Sequence, residues 1–283
     1  MRTSFEGWRR DLRVLCRSKL AVTGGIVLLV IGLIAVLANV LAPYDPYEPH
    51  YDNVLEAPCK QFLFGTDIMG RDILSRVIHG ARLSLVVGLC TVGIALAGGV
   101  PAGIISGFFG GWVDTSIMRA MDIILTFPPL LLALLLLAVA GPGESNAIVA
   151  VGLVYVPKVA RLVRSKALSE RNQTYVEAAR AIGRSSLGVA FIHVLRNCTS
   201  IIIVQATVTI PETILIAAAL NFLGMGTSPS TPVWGLMISR GRDFMGVAPW
   251  VVLFPAAALS LLVLGLNFFG DGLRDVSDVR TTL

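Results

Sequence analysis

The chain has 283 residues, of which 55% are hydrophobic and 14% are charged, and its mean hydropathy is +0.77. These values exclude an ordinary soluble domain of this size and predict a protein embedded in a lipid bilayer. The net charge of +5 and the pI near 9.3 would also suit a nucleic-acid-binding protein. The basic residues are instead sorted into particular loops without interleaved aromatics, so we interpret them as topology-setting charge and predict no nucleic-acid partner.

Six apolar segments are long enough to cross a bilayer and predict an all-α polytopic membrane protein with six transmembrane helices. They cover residues 20–41, 84–108, 120–140, 146–163, 200–223 and 248–270. The first follows a basic run that resembles the start of a secretory signal. Its length corresponds to about 33 Å of helix, which is too long for a signal sequence, so we predict an uncleaved span.

The distribution of lysine and arginine predicts the orientation. Seventeen of these residues lie on one side of the six spans and six on the other. Because cytoplasmic loops carry the excess, both termini are expected in the cytoplasm, with the chain in a bacterial-type plasma (inner) membrane. The predicted organisation is a cytoplasmic tail, a first span, an extracytoplasmic loop, a transmembrane core and a second cytoplasmic tail, at residues 1–19, 20–41, 42–83, 84–270 and 271–283.

Several chemical motifs are absent from the sequence. The cysteines lack C-x-x-C spacing, and only Cys59 is expected to face outward, so neither a disulfide nor a metal site is predicted. The sequence contains no G-x-x-x-x-G-K-[ST] loop, so no nucleotide-binding site is predicted and we expect no cofactor on this chain. We therefore predict that the chain is not an enzyme. The other cysteines are Cys16, Cys90 and Cys198.

Glycines recur at four-residue spacing along the second predicted span. This pattern predicts a ridge on one helix face that allows a neighbouring backbone to approach closely. A groove that lines a pore is the alternative, because small residues make space as readily as contact. A proline within the same span predicts a kink. The ridge comprises Gly99, Gly103, Gly107 and Gly111, and the proline is Pro101.

Glu212, beside Pro211, is the only acidic residue deep in an apolar segment. A charge at that depth costs about 2.5 to 3.5 kcal/mol on insertion scales, so we expect it to face protein or water. A structural role and a role in lining the pathway both remain open. At the edge of the third span, Arg119 and Asp122 have helical i,i+3 spacing, which predicts a local ion pair beside Asp114.

A basic hydrophilic segment between apolar blocks reads Tyr-Val-Glu-Ala-Ala-Arg-Ala-Ile-Gly at residues 175–183. A short helix with one carboxylate, small alanines and a terminal glycine suits insertion into a groove of another protein. The segment resembles the EAA loop of ABC importer permeases, which places the coupling loop at about 164–199. The resemblance implies contact with the ATPase by Tyr175, Glu177, Ala178, Ala179, Arg180 and Gly183. The family pattern ends this loop with a proline, where this chain has Arg196.

The segment before the second span combines glycines, which favour tight turns, with alternating charges, which favour ion pairs on the outer surface. It comprises Gly65, Thr66, Asp67, Gly70, Arg71, Asp72 and Arg76. Together with later blocks, it resembles the signature of the C-type permease in the dipeptide, oligopeptide and nickel branch of ABC importers. The later blocks include Phe127-Pro128-Pro129, Asn221-Phe222-Leu223-Gly224 and Gly270-Asp271-Gly272-Leu273-Arg274.

This resemblance implies the type I ABC importer transmembrane fold, with one peripheral helix and a five-helix core. It implies that the chain forms half of a translocation pathway for di- or oligopeptides or a related solute, with nickel or a metal chelate as the alternative cargo. The implied partners are a B-type permease, two cytoplasmic ATPase subunits that bind ATP and Mg²⁺, an extracytoplasmic substrate-binding protein and membrane lipid.

Two other protein classes compete with this interpretation. An ion-coupled secondary transporter needs coupling-ion residues at the midplane, commonly with inverted repeats, and Glu212 alone gives thin support. An intramembrane enzyme needs paired catalytic residues at depth, and the predicted spans contain no His or Asp pair. Association with an ATPase separates both classes from an importer permease.

Overall fold

The structure is a computed structural model that describes residues 18–226 and 228–281, with side chains as far as residue 275. Helices make up nearly all of this part of the chain, and its only β pairing is an isolated bridge between Thr66 and Asp72. The main helices are α1 (Lys19–Val36), α2 (Ile73–Phe109), α3 (Gly111–Leu125), α4 (Pro129–Ala140), α5 (Glu144–Glu170), α6 (Thr174–Ala181), α7 (Leu195–Phe222), α8 (Trp234–Gly241) and α9 (Trp250–Thr281). Most of the predicted N-terminal tail, including Cys16, lies outside the described residues.

Five of the described helices are long and apolar enough to cross a membrane: α1, α2, α5, α7 with the turns before it, and α9. The third predicted span is not one straight helix, because α3 and α4 meet at a bend of 92°. Pro128 and Pro129 cause the break, since proline lacks a backbone donor and disfavours helix at the residue before it. Pro129 is itself the first residue of α4, where a missing donor is harmless.

The helix that contains the second predicted span begins at Ile73, whereas the predicted apolar segment begins at residue 84. The Asp72 carboxylate caps this helix by accepting hydrogen bonds from the Ser75 amide at 2.8 Å and the Ser75 hydroxyl at 2.6 Å. The last part of the predicted loop, residues 73–83, is therefore helical. The resulting α2 has 37 residues and is about 55 Å long.

The core forms where α2 packs against α5, and three of the predicted ridge glycines make this contact. A Cβ atom on Gly99, Gly103 or Gly107 would lie 2.5 to 2.7 Å from the nearest atom of α5. Gly111 does not belong to the ridge, which corrects the prediction. The chain leaves α2 at Gly110, whose φ is +68°. Gly111 starts α3 with a φ of +55°, and a Cβ on it would have no atom within 4 Å.

Helix α1 lies at the periphery and packs mainly on α9. Gly24 permits this contact, because a Cβ there would lie 2.7 Å from both the Gly265 carbonyl oxygen and the Phe269 amide nitrogen. Most of the other α1 side chains, such as Leu29 and Leu33, are exposed on this chain. One peripheral helix beside a core of the later helices is the arrangement that the resemblance implied.

Candidate coupling helix and charged sites

Helix α6 carries the EAA-like segment and is amphipathic. Val176 and Ala179 are buried in the core, whereas Glu177 and Ala178 are exposed. The prediction that both alanines thin the outer face is therefore wrong for Ala179, which packs inward. The outward surface consists of the Glu177 carboxylate, the Ala178 methyl group and the apolar side chains that follow the helix, of which Ile182 is 82% exposed.

Gly183 ends α6 with a φ of +80°, a conformation that favours glycine. Its amide donates to the Arg180 carbonyl at 2.9 Å, and the Arg184 amide donates to the Ala179 carbonyl at 3.2 Å. These two bonds form a Schellman motif, which satisfies the last carbonyls of the helix. No atom lies within 4 Å of a Cβ built at Gly183, so backbone conformation and not space selects the glycine.

Two side chains of α6 connect it to the ends of long helices. The Arg180 guanidinium lies 5.1 Å from the centroid of the Phe108 ring, which belongs to the last turn of α2. The Tyr175 hydroxyl donates to the Glu170 carboxylate at 2.8 Å, at the end of α5. Burial is the main cause that raises the pKa of Tyr175 to about 12, so the phenol stays a neutral donor at physiological pH.

The chain leaves the coupling loop through continuous helix and needs no proline there. A single turn at Ser186–Gly188 leads into a π-helical segment, Val189–Val194, and then into α7. Arg196 is exposed in the first turn of α7, so its side chain is compatible with this exit. The wide π turn keeps Val189, Ala190 and Val194 buried against the core.

The glycine- and charge-rich signature forms a buried network at the opposite end of α2. Asp67 accepts from the Met69 amide at 2.8 Å and the Arg71 amide at 3.0 Å, and it pairs with the Arg71 guanidinium at 2.8 Å. Arg76 lies 3.6 Å from the same carboxylate. These charges were expected on the outer surface, but Asp67, Arg71, Asp72 and Arg76 are all buried.

Arg76 also ties distant parts of the chain to this network. Its Nη1 donates to the Pro46 carbonyl at 2.7 Å and to the Ser230 carbonyl at 3.2 Å. The turn glycines have the backbone that the sequence suggested, because Gly65 and Gly70 both have a φ of +74°. A Cβ on Gly70 would lie 1.9 Å from the His50 carbonyl oxygen, so a larger residue cannot fit. Thr66 is buried beside them and donates to the Asn53 carbonyl.

Three ion pairs join α5 to neighbouring helices, and none of the partners was predicted correctly. Asp114 of α3 binds Arg164 at 2.5 Å, and Asp122 binds Arg161 at 2.7 Å. The predicted local pair between Arg119 and Asp122 is therefore wrong. The third pair joins Lys158 to both carboxylate oxygens of Glu212 on α7, at 2.6 and 2.7 Å.

The basic partners were missed because they were counted as cytoplasmic loop charge. Lys158 lies inside the fourth predicted span, directly after Pro157, and α5 continues to Glu170. Two observations in the sequence could have found the pair. One apolar segment contains a lysine, and another contains a glutamate of the opposite charge. Removing Lys158 from the count leaves the predicted excess of basic residues on the cytoplasmic side in place.

Comparison with protein families identifies the chain. A family described as binding-protein-dependent transport system inner membrane component matches residues 99–283, and the N-terminal TM domain of oligopeptide transport permease C matches residues 7–58. The chain belongs to the first of these families. It is thus a multi-pass inner-membrane permease of an ABC importer, and the resemblance seen in the sequence motifs is confirmed.

Curated relatives align over nearly the whole chain. The dipeptide transport system permease protein DppC of Alkalihalophilus pseudofirmus is 44% identical over 98% of this chain and 91% of that protein. The di/tripeptide transport system permease protein DppC of Pseudomonas aeruginosa is 45% identical over 93% and 89%. The glutathione transport system permease protein GsiD of Escherichia coli is 42% identical over 97% and 90%.

A solved structure shares the fold. A chain from inward facing conformations of the MetNI methionine ABC transporter superposes with a TM-score of 0.58 at 20% identity, covering 72% of this chain and 97% of that one. At this identity the likeness concerns the fold alone. The predicted type I ABC importer transmembrane fold is confirmed.

Proposed function

We propose that this permease forms half of a pathway that imports di- or oligopeptides. The carrying observation is that relatives at least 42% identical over nearly the whole chain are named for dipeptides, di/tripeptides and glutathione, itself a tripeptide. No group of His, Cys, Asp and Glu side chains among the described residues could hold a metal ion. Nothing in this part of the chain therefore favours nickel or a metal chelate over a peptide.

A second permease, of the B type, completes the pathway in this proposal. Helix α3 supports it, because none of the α3 residues is buried in this chain although the helix is amphipathic. Such a helix needs another protein surface or the boundary between membrane and water to cover its apolar side. An extracytoplasmic binding protein delivers the solute, and two cytoplasmic ATPases bind ATP and Mg²⁺.

Coupling to the ATPases is assigned to α6. Its exposed Glu177 and Ala178 offer a narrow surface to a groove, and its inward contacts reach the ends of α2 and α5 through Phe108 and Glu170. Closure of the ATPase pair on ATP displaces α6 as a rigid body. Because both long helices are tied to α6, that displacement reorients the core and exposes the pathway to the other side.

The two ends of α2 support an orientation in the membrane, given the proposed role of α6. The coupling helix contacts its C-terminal end and the Asp67 network surrounds its N-terminal end, about 55 Å away. With α6 on the ATPase side, the Asp67 network is extracytoplasmic. The excess of lysine and arginine supports the same orientation, with both termini in the cytoplasm.

Uptake of a labelled dipeptide tests the cargo. Cells that carry the complete importer should accumulate the dipeptide, and deletion of this chain alone should abolish that uptake. Unlabelled dipeptide should compete, whereas nickel ions should not. Unchanged dipeptide uptake in the deletion strain, with no other dipeptide importer present, would contradict the peptide assignment.

A charge reversal on α6 tests the coupling role. Glu177→Lys should reduce uptake and uncouple ATP hydrolysis, because a carboxylate that meets a basic groove becomes a like charge. Its abundance in the membrane should stay unchanged, since Glu177 is exposed. Glu48→Lys, the same charge reversal at an exposed position outside the coupling loop, is the matched control. Full uptake by Glu177→Lys would refute the assignment of α6.

A further inference from the structure

The ion pair between Lys158 and Glu212 lies deep within two membrane helices. Lys158 is about 21 Å along α5 from its first residue and about 18 Å from its last. Each charged residue directly follows a proline inside its helix, Pro157 in α5 and Pro211 in α7. Proline removes one backbone hydrogen bond from the preceding turn, so each helix has an unpaired carbonyl one turn before its charged residue.

This pair is not enclosed by the chain. The Lys158 and Glu212 side chains remain 43% and 38% exposed, although each binds the other at hydrogen-bond distance. Contact with lipid hydrocarbon would be costly for both charges, so they must face another protein or water. The Tyr155 ring lies beside them, with its centroid 5.9 Å from the Lys158 ammonium nitrogen.

A second ion pair extends the same charged surface toward the coupling end. Arg161 follows Lys158 at i+3 on α5, so their Cβ atoms are neighbours at about 5–6 Å. Arg161 and its partner Asp122 are 58% and 52% exposed. The two cations are therefore neighbours on α5, each is paired with its own anion, and the four exposed side chains carry no net charge.

Such a surface complements a zwitterion. A free peptide carries one ammonium and one carboxylate, and an extended dipeptide is at most about 7 Å long. If the Lys158–Glu212 pair opens, each of its charges can pair with one end of the peptide. All four charges are then paired. An unpaired charge at membrane depth would be the most costly arrangement, and this exchange avoids it.

We infer that Lys158 and Glu212 form a binding site for the charged ends of a peptide in the translocation pathway, by exchanging their own ion pair for pairs with the substrate. Lys158, assisted by Arg161, receives the carboxylate, and Glu212 receives the ammonium. This inference rests on the proposed peptide function and adds the residues that contact the solute. It also gives a role to the open position of the pair, which a purely structural bridge does not need.

Cysteine accessibility beside the intact pair tests the site. Leu215 lies at i+3 from Glu212 and is 47% exposed, so Leu215→Cys reports on this surface without removing either charge. The control is Leu153→Cys, which is 46% exposed but lies about 140° around α5 from Lys158. Both are made in the assembled importer after the native cysteines are replaced, and a charged, membrane-impermeant thiosulfonate is applied from each side.

The expected result is modification of Leu215→Cys from at least one side, with Leu153→Cys spared. Dialanine at a concentration equal to its Kd should slow the modification about twofold. N-acetyl-dialanine amide, which has no terminal charge, should give no protection, and adding Glu212→Gln should remove the protection by dialanine. Absence of modification from both sides, which would mean cover by the partner or by lipid, overturns the inference, and so does modification that dialanine never slows.

A charge swap supplies an independent measurement. Lys158→Glu combined with Glu212→Lys preserves an ion pair but reverses its direction relative to the peptide. Peptide uptake by this double variant should be lower than wild-type uptake, although the yield of the complex should be normal. Wild-type uptake by the double variant would show that only the ion pair between the two helices matters, and it would overturn the inference. Dipeptide uptake by the wild-type importer is measured alongside. If that uptake is absent, the proposed peptide function fails, and if it is normal without protection, only the site at Lys158 and Glu212 fails.

Discussion

Asp67 shows how one carboxylate organises the segment before α2. Its oxygens accept from two backbone amides and from Arg71, and Arg76 lies 3.6 Å away. All three side chains are buried, so the two guanidinium groups depend on this carboxylate and on carbonyl oxygens for compensation. Arg76 in turn connects the segment to the loops at Pro46 and Ser230.

Removal of this carboxylate charge should therefore be strongly destabilising. Asp67→Asn keeps the size of the side chain but leaves buried arginines without their negative partner, at a cost of about 3–5 kcal/mol. The expected result is a lower melting temperature of the purified complex and a reduced yield. Asp52→Asn, at an exposed aspartate in the same segment before α2, is the control and should behave as wild type. Equal melting temperatures for the two variants would show that the network does not stabilise the fold.

At the scale of elements, the glycine face of α2 decides how closely two long helices approach. Gly103 contacts the Ala160 carbonyl and the Val163 side chain, and Gly107 contacts Ala167. The face is therefore used within this chain, between α2 and α5, and is not itself the surface for a partner subunit. We expect any effect of this face on assembly to be indirect, through α5, which also carries the ion pairs to α3 and α7.

A single helix provides both the test position and its control. Gly103→Leu places side-chain atoms where a Cβ already comes within 2.5 Å of the Ala160 oxygen, so α2 and α5 must separate. We expect a loss of about 1–3 kcal/mol or more in stability and a lower complex yield. A Cβ on Gly93 of the same helix meets no atom within 4 Å, so Gly93→Leu should be tolerated. The packing role would be disproved by normal yield and melting temperature for Gly103→Leu.

For the whole molecule, the orientation in the membrane is accessible to thiol labelling, provided that the positions are exposed. Cys198 is fully buried, so its failure to react says nothing about the side on which it lies. Exposed substitutes are Lys60→Cys in the segment before α2, which is proposed to be extracytoplasmic, and Ser186→Cys after α6. Both belong in a background without the native cysteines.

A membrane-impermeant reagent applied to intact cells should label Lys60→Cys and spare Ser186→Cys. Inverted vesicles should give the opposite pattern, because the reagent then meets the cytoplasmic face. The physical reason is the positive-inside rule acting on loops rich in lysine and arginine. Labelling of Ser186→Cys in intact cells would reverse the proposed orientation.

The approximate positions of five membrane segments could be read from the sequence, because an apolar run of sufficient length has few stable alternatives to a helix in a bilayer. The family could be recognised for a related reason: its motifs are local strings, such as residues 65–76 and 175–183, and need no three-dimensional information. The caps were less visible. Asp72 starts α2 earlier than hydropathy suggests, since a capped polar turn continues the helix beyond the apolar segment.

Contacts between distant residues could only be decided by the tertiary structure. The sequence showed the intramembrane charge of Glu212 but not its partner Lys158, which is 54 residues away, and it paired Asp122 with the wrong arginine. It also placed Gly111 on a ridge that ends before Gly110. Local spacing fixes which residues share a helix face, whereas the packing of α2, α5 and α7 determines which faces meet, and that packing depends on the whole chain.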